Sequence, residues 1–146
     1  MAESFRRLLL AIDASPGNAP VVAQGLALAS AQQAAVHLLA VGGSELRLAT
    51  AETYVPRTVY RQADAALRQR LARAARQLRR AGLRPQIELA QGEAAAAIVA
   101  SARRFDADLI VLGHRQRSLF ERLFDPSVAQ HVLDRTRCSV LIARAG

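Results

Sequence analysis

The chain has no Lys and no Trp, a single Cys, and only 4% aromatic residues. Each scarcity closes off a class of function. A lone thiol, Cys138, excludes an intramolecular disulfide and a CxxC redox or zinc motif, and just ahead of an apolar run it reads as a small buried hydrophobe. So few aromatic rings leave no stacking platform for single-stranded nucleic acid. No apolar run approaches the ~18 residues of a membrane span. The opening MAESFRRLLLAID has two arginines before a short apolar run, as a secretory leader does, but that run breaks at Asp13 and has the length of a buried strand. The expectation is a cytoplasmic protein with no membrane association.

What is present is hydrophobic residue and arginine. At 146 residues and 51% hydrophobic content, the chain has the size of one ordinary domain with a core that needs neither disulfide nor metal. The formal charge is +8, all of its positive part from Arg, which points to a coding bias towards Arg codons. Basicity on this scale raises the question of nucleic acid. The spacing of the arginines between Arg57 and Arg84 answers it. Leu67, Leu71, Ala74 and Leu78 recur at i, i+4, i+7 and i+11, one stripe of a helix, and Arg68, Arg70, Arg73, Arg76, Arg79 and Arg80 all project away from it. A solvated helix face accounts for them, so nucleic acid is not an expected partner. A polyanion site on this face is the weaker alternative, and it implies strong salt dependence through Arg73, Arg76 and Arg80.

Along the chain, strands and helices alternate. Leu8 to Ile12 is an apolar strand ending in Asp13, and Asp-Ala-Ser-Pro-Gly-Asn supplies turn residues after it. Asn18 is placed to cap a helix that has Pro20 in its first turn and runs to about Ala31, with Val22, Leu26 and Ala29 inward. Val36 to Val41 is the second strand, in which His37 reads as a strand residue with a satisfied ring nitrogen. The irregular stretch from Gly42 to Pro56 has the length of a functional or mobile loop. The arginine-rich helix, about Thr58 to Ala81, ends at Gly82. Pro85 to Ala90 is a third strand whose alternation of Ile87 and Leu89 with Gln86 and Glu88 suggests a half-exposed edge. Gln91, Gly92 and Glu93 turn the chain into a helix from Ala94 to Arg104, with Ala94, Ile98, Ala102 and Phe105 on one side.

The stretch with most chemical content is DADLIVLGHRQRSLFERLFDPSVAQHV, Asp106 to Val132. A fully apolar strand, Leu109 to Leu112, stops at Gly113. A basic loop follows, and a short helix starts at Ser127, whose hydroxyl can cap it while Gln130 reaches back in a capping box. Strand, glycine, loop and helix N-terminus make a phosphate site in α/β proteins. A last apolar strand, Ser139 to Ala143, closes the chain. The regular alternation implies a parallel sheet with helices on both faces.

This stretch resembles the universal stress protein family, small flavodoxin-like α/β domains, many of which bind ATP. The family signature is a glycine, two residues, a second glycine, nine residues, then Gly-Ser or Gly-Thr at a helix start. Gly113 stands at its first position and Ser127 at its last, while Gln116 replaces the second glycine and Pro126 the third. QGEAAAAIVASARRFDADLIVLG is similar to the family's segment leading into its fourth strand. The resemblance implies the strand order 3-2-1-4-5, with ligand in the crevice between strands one and four. It also implies that Asp13 lies at the adenosine end and Val41 near the adenine. An acidic turn residue is an equally good reading of Asp13. Family members dimerise through the last strand, and Ser139 to Ala143 would be an apolar edge without Lys or Pro to protect it, so a symmetric homodimer is expected.

The two lost glycines bear on function. Gln116 brings a side chain into the space of the phosphates, and Pro126 has no N–H to donate. Ser127, the N–H groups after it starting at Val128, and the charges of Arg115, Arg117 and Arg122 remain. Asp13 and Asp125 are the acidic residues nearby, and no Walker sequence, G-x-S-x-G elbow or H-E-x-x-H is present, so an enzyme is not expected. Two readings follow. One is a stress-response dimer that acts through an unidentified protein partner, with weak or no ATP binding. The other is a sensor in which Gly113, Ser127 and the arginines hold ATP with Mg²⁺, or another phosphate-bearing ligand, weakly.

Overall fold

The computed structural model describes residues 4–13, 18–42, 57–113 and 128–144. Five strands, β1 (Arg7–Ile12), β2 (Ala35–Gly42), β3 (Gln86–Gln91), β4 (Leu109–Gly113) and β5 (Ser139–Ala143), form one parallel sheet in the order β3-β2-β1-β4-β5. Among the described residues four helices accompany them: α1 (Ala19–Gln32), α2 (Arg57–Arg80), α3 (Ala94–Phe105) and α4 (Val128–Arg135). This is the expected flavodoxin-like α/β arrangement.

The apolar runs become interior strands because both faces of the sheet are covered. Leu8, Leu10 and Ile12 of β1 pack with Val36, Leu38 and Ala40 of β2 beneath α1 and α2. The intervening Leu9 and Ala11 pack with Leu39, Val41, Ile110 and Leu112 beneath α3 and α4. Leu67, Leu71, Ala74 and Leu78 are the buried stripe of α2, and all six arginines assigned to its outer face are exposed.

Polar side chains fix the strand ends. Asp108 accepts from the main-chain N–H of Arg6 at 2.8 Å and of Arg7 at 3.0 Å, and its own N–H reaches Arg7 O, so β4 is docked against the start of β1 by one carboxylate. Arg7 in turn lies over the Phe105 ring, 4.1 Å from its centroid, and donates to Phe105 O. Glu93 caps α3 by accepting from Ala95 and Ala96 N–H, and pairs with Arg135 of α4 at 3.2 Å.

Several expectations need correction. Asn18 stands at the N-cap of α1 but makes no side-chain capping bond, because its amide is turned back to Asp13. Gln130 donates to Asp134 at 2.9 Å, one turn onward along α4, while the capping box expected with Ser127 lies outside the described residues. β3 is the expected edge strand, yet Ile87 is 42% exposed while Glu88 on the opposite face is engaged in hydrogen bonds. Cys138 is half-buried rather than buried, its Sγ 3.1 Å from Thr136 Oγ1.

At Gly25 α1 lies close against the sheet: a Cβ there would fall 2.4 Å from Leu10 Cδ2, and Leu10 is fully buried. Gly25→Val is therefore expected to destabilise by about 2 kcal/mol, since overpacking outweighs the smaller gain from removing a helical glycine. Urea unfolding of the two proteins measures it.

Candidate functional site

In the order β3-β2-β1-β4-β5 the chain winds away from β1 in both directions, so the connections leaving β1 and β4 diverge and open a crevice at the carboxyl ends of these strands. The β1–β4 ladder pairs Leu10 with Val111, and two residues further its continuation sets Ile12 beside Gly113. Asp13 follows at once. On the other side of β1, Ile12 pairs with Ala40, which brings Val41 level with Asp13. Three of the predicted site residues, Asp13, Val41 and Gly113, are thus brought to one edge of the sheet by its register. The side chain of Val41 is 5% exposed and belongs to the core beneath α3, so what it presents at that edge is main chain. Val128 opens α4, half-buried against the same core. Arg115, Gln116, Arg117 and Ser127 lie outside the described residues, as do Pro126 and the stretch 43–56.

The end of β1 is held by a feature that sequence reasoning assigned to helix capping. Asp13 N–H donates to Asn18 Oδ1 at 3.1 Å, and Asn18 Nδ2 donates to Asp13 O. Both main-chain groups of Asp13 are thereby tied to the first residue of the helical region. On the β2 and β3 side, Gln91 Nε2 donates to Asp64 Oδ1 at 2.9 Å, beside Gly42. Asp64 is the sole acidic residue in the arginine helix, but no spacing in the sequence pairs it with Gln91.

A second polar cluster lies beneath α3. Glu88 Oε1 accepts from His37 Nε2 at 2.8 Å and from Ser101 Oγ at 2.6 Å, and Glu88 Oε2 pairs with Arg104. An ionised carboxylate only accepts, so His37 carries its hydrogen on Nε2, and its ring packs against Phe105 at 4.9 Å between centroids. The satisfied His37 is as expected. Burial pushes the Glu88 carboxyl up, but the hydrogen bonds from Ser101 and His37 and the charge of Arg104 outweigh it and hold the group below its ordinary value. Ser101 is 1% exposed and gives its proton to Glu88, not to His37, so the cluster ties β2, β3 and α3 together and is not a nucleophile relay. Glu93 is likewise held low, its burial outweighed by the Ala96 and Ala95 N–H groups and by Arg135.

Among the described residues no group of three His, Cys, Asp or Glu side chains could hold a metal ion. No described helix is long and apolar enough to cross a membrane. A cavity of about 570 Å³, lined by Ser30, Gln33, Gly82 and Arg84 among others, lies at the amino end of the sheet, opposite the crevice.

Fold and register give the chain the switch-point topology of open α/β sheets, and a comparison of sequence narrows this. The profile of the universal stress protein family matches residues 4–144. The chain belongs to that family. Solved universal stress proteins share its fold. UspA from Lactobacillus plantarum is 18% identical with a TM-score of 0.79, over 98% of this chain and 100% of that one. A universal stress protein in complex with cAMP is 20% identical, TM-score 0.70, over 99% and 100%. The universal stress protein from Archaeoglobus fulgidus in complex with dAMP is 19% identical, TM-score 0.67, over 97% and 99%. No curated protein sequence matches. In this universal stress protein the sheet register brings Asp13, Val41 and Gly113 to one edge.

The Glu88 cluster generates a pH prediction. A carboxylate whose folded pKa lies below its unfolded one stabilises above the ordinary carboxylate range, and that contribution is lost as pH falls through the lowered value. Glu88→Gln is expected to be less stable at neutral pH by about 1.5–3 kcal/mol, the range for hydrogen bonds to a charged group. Its unfolding midpoint should fall less steeply than wild type's on acidification below the ordinary carboxylate range.

Proposed function

We propose that this universal stress protein is a stress-response regulator that works as a homodimer through protein contacts and binds ATP weakly or not at all. The observation that carries the reading is the replacement of two signature glycines by Gln116 and Pro126 in a chain whose crevice frame is otherwise kept. A proline at the helix start removes a donor from the phosphate end, and added positive charge does not restore a missing N–H in a fixed position. The nucleoside end is untouched by either replacement.

Support for the dimer comes from β5. It is the terminal strand of the sheet, and its Val140, Leu141 and Ile142 are only half-buried within one chain. A parallel edge of this kind carries unpaired main-chain groups beside apolar side chains, which a second copy would satisfy.

A second reading is favoured by the relatives solved with cAMP and dAMP. Both ligands carry one phosphate. A monophosphate asks for fewer donors than a triphosphate, so the damage at Pro126 weighs less against it. On this reading the crevice senses a nucleoside monophosphate, with Arg115 and Arg117 supplying charge, and Mg²⁺ is not required. No catalytic role is assigned in either case.

Titration calorimetry with ATP, with and without Mg²⁺, and with AMP decides between them, run beside the double reversion Gln116→Gly with Pro126→Gly. The regulator reading expects no heat from wild type and ATP binding by the reversion. Binding of AMP without ATP supports the sensor. Micromolar ATP binding by wild type overturns the argument from Pro126. For assembly, sedimentation is expected to show a wild-type dimer and a folded monomer for Val140→Lys. A wild-type monomer at tens of micromolar overturns the β5 interface.

A further inference from the structure

Charge in this chain is concentrated on one helix. α2 carries eight arginines against one aspartate, so seven of the eight net positive charges belong to it and the rest of the chain is close to neutral. A bias towards arginine codons accounts for Arg in place of Lys. It does not account for the lack of Glu among the arginines, although Glu four residues from Arg is the ordinary way to settle a helix surface.

Arg73, Arg76 and Arg80 recur at i, i+3 and i+7, opposite the buried stripe of Leu67, Leu71, Ala74 and Leu78, and all three are exposed. Neighbours at this spacing repel. Arg79 and Arg80 stand in the last turn, where the helix dipole favours a cation, but Arg73 and Arg76 stand outside it. Arginines elsewhere are used within the chain: Arg7 lies over Phe105, Arg104 pairs with Glu88 and Arg135 with Glu93. Among the described residues Arg73, Arg76 and Arg80 have no such partner.

The rest of this face is low. From residue 65 onward it consists of Ala65, Ala66, Gln69, Ala72 and Gln77, all exposed, with no aromatic ring among them. Alanines let a second helix approach to the 8–10 Å at which helices pack, so that its carboxylates meet the guanidinium forks directly. A nucleic-acid strand would find charge here and nothing on which to stack a base.

We propose that the outer face of α2 docks an acidic helix of a partner protein, whose carboxylates pair with Arg73, Arg76 and Arg80. The inference rests on the reading of a regulator that acts through protein contacts, and it names the face and the chemistry of the partner. The three forks lie along about 10 Å of helix axis, two turns, which matches carboxylates on one face of a facing helix. A second copy of this chain does not fit, because its own α2 repels and its remaining charges nearly cancel. α2 packs over β2 and β3, away from β5, so the face stays open in a dimer built on β5.

The probe is an alanine-based helical peptide with its glutamates confined to one face, compared by fluorescence anisotropy with an isomer whose glutamates are spread around the helix. A single-stranded oligonucleotide of the same charge is the third ligand. Wild type is expected to bind the one-faced peptide tighter than either by about tenfold or more, the worth of several exposed ion pairs acting together. Arg73→Gln combined with Arg76→Gln and Arg80→Gln should lose that preference; Gln is a comparable helix former, and circular dichroism checks the fold. Arg6→Gln combined with Arg103→Gln and Arg137→Gln removes the same charge from exposed positions elsewhere and should keep it. Equal or absent binding of the two peptides, tighter binding of the oligonucleotide, or equal losses in the two triple variants overturns the inference. The regulator reading then stands, since a partner can dock on another face. Micromolar ATP binding in the calorimetry above overturns that reading and leaves the peptide result as it is.

Discussion

Burial of β1 on both faces is the constraint from which the rest of the structure follows. Leu8, Leu9 and Leu10 are wholly buried and Ala11 and Ile12 nearly so, with successive side chains pointing to opposite sides. A strand apolar on both sides needs a helical layer on each, and a parallel neighbour can be reached only by a crossover. The first crossover sends the chain through α1 to β2 on one side, and the later ones place β4 and β5 on the other. The reversal of direction at β1 opens the crevice. Its location is therefore a by-product of how the core is covered, and Asp13 and Gly113 are beside it because they are the residues at which two buried strands end.

Polar groups near the sheet ends settle what burial leaves open. The apolar faces would tolerate several relative heights of the strands; Asp108 chooses one by binding two main-chain N–H groups of the neighbouring strand, and Asn18 does the same between β1 and α1. Glu88 has a comparable office across β2, β3 and α3, where a half-buried carboxylate persists because three side chains satisfy it. Asp64 has one side-chain partner among the described residues, the amide of Gln91.

The arginines and the edge strand are the two surface features that the fold does not explain from within. Those of α2 point away from the stripe formed by Leu67, Leu71, Ala74 and Leu78, as charged residues over a solvated face do, and the helix is held by that stripe rather than by its charges. β5 differs, because its side chains are apolar and the sheet simply stops.

Element identity and order were legible in the chain because apolar periodicity is a local property: the run before Asp13, the stripe of α2 and the run before Gly113 declare themselves without their neighbours. Registry with the family's signature likewise comes from local spacing between Gly113 and Ser127. Side-chain partnerships were not legible. Asn18 and Glu88 each have a plausible local use, as cap or exposed strand residue, and each is instead turned to a partner that the folded chain brings within hydrogen-bonding reach, five and thirteen residues away. The pairing of Asp64 with Gln91 over Gly42 is of the same kind, since it joins a helix to two strands. Sequence by itself determined which segments are buried and how strands and helices alternate, because hydrophobic burial depends on composition and period, while the strand order came with the family resemblance. Only the tertiary structure decided which polar atoms meet at the sheet edge, because a hydrogen bond depends on distances of a fraction of an ångström that no spacing along the chain encodes.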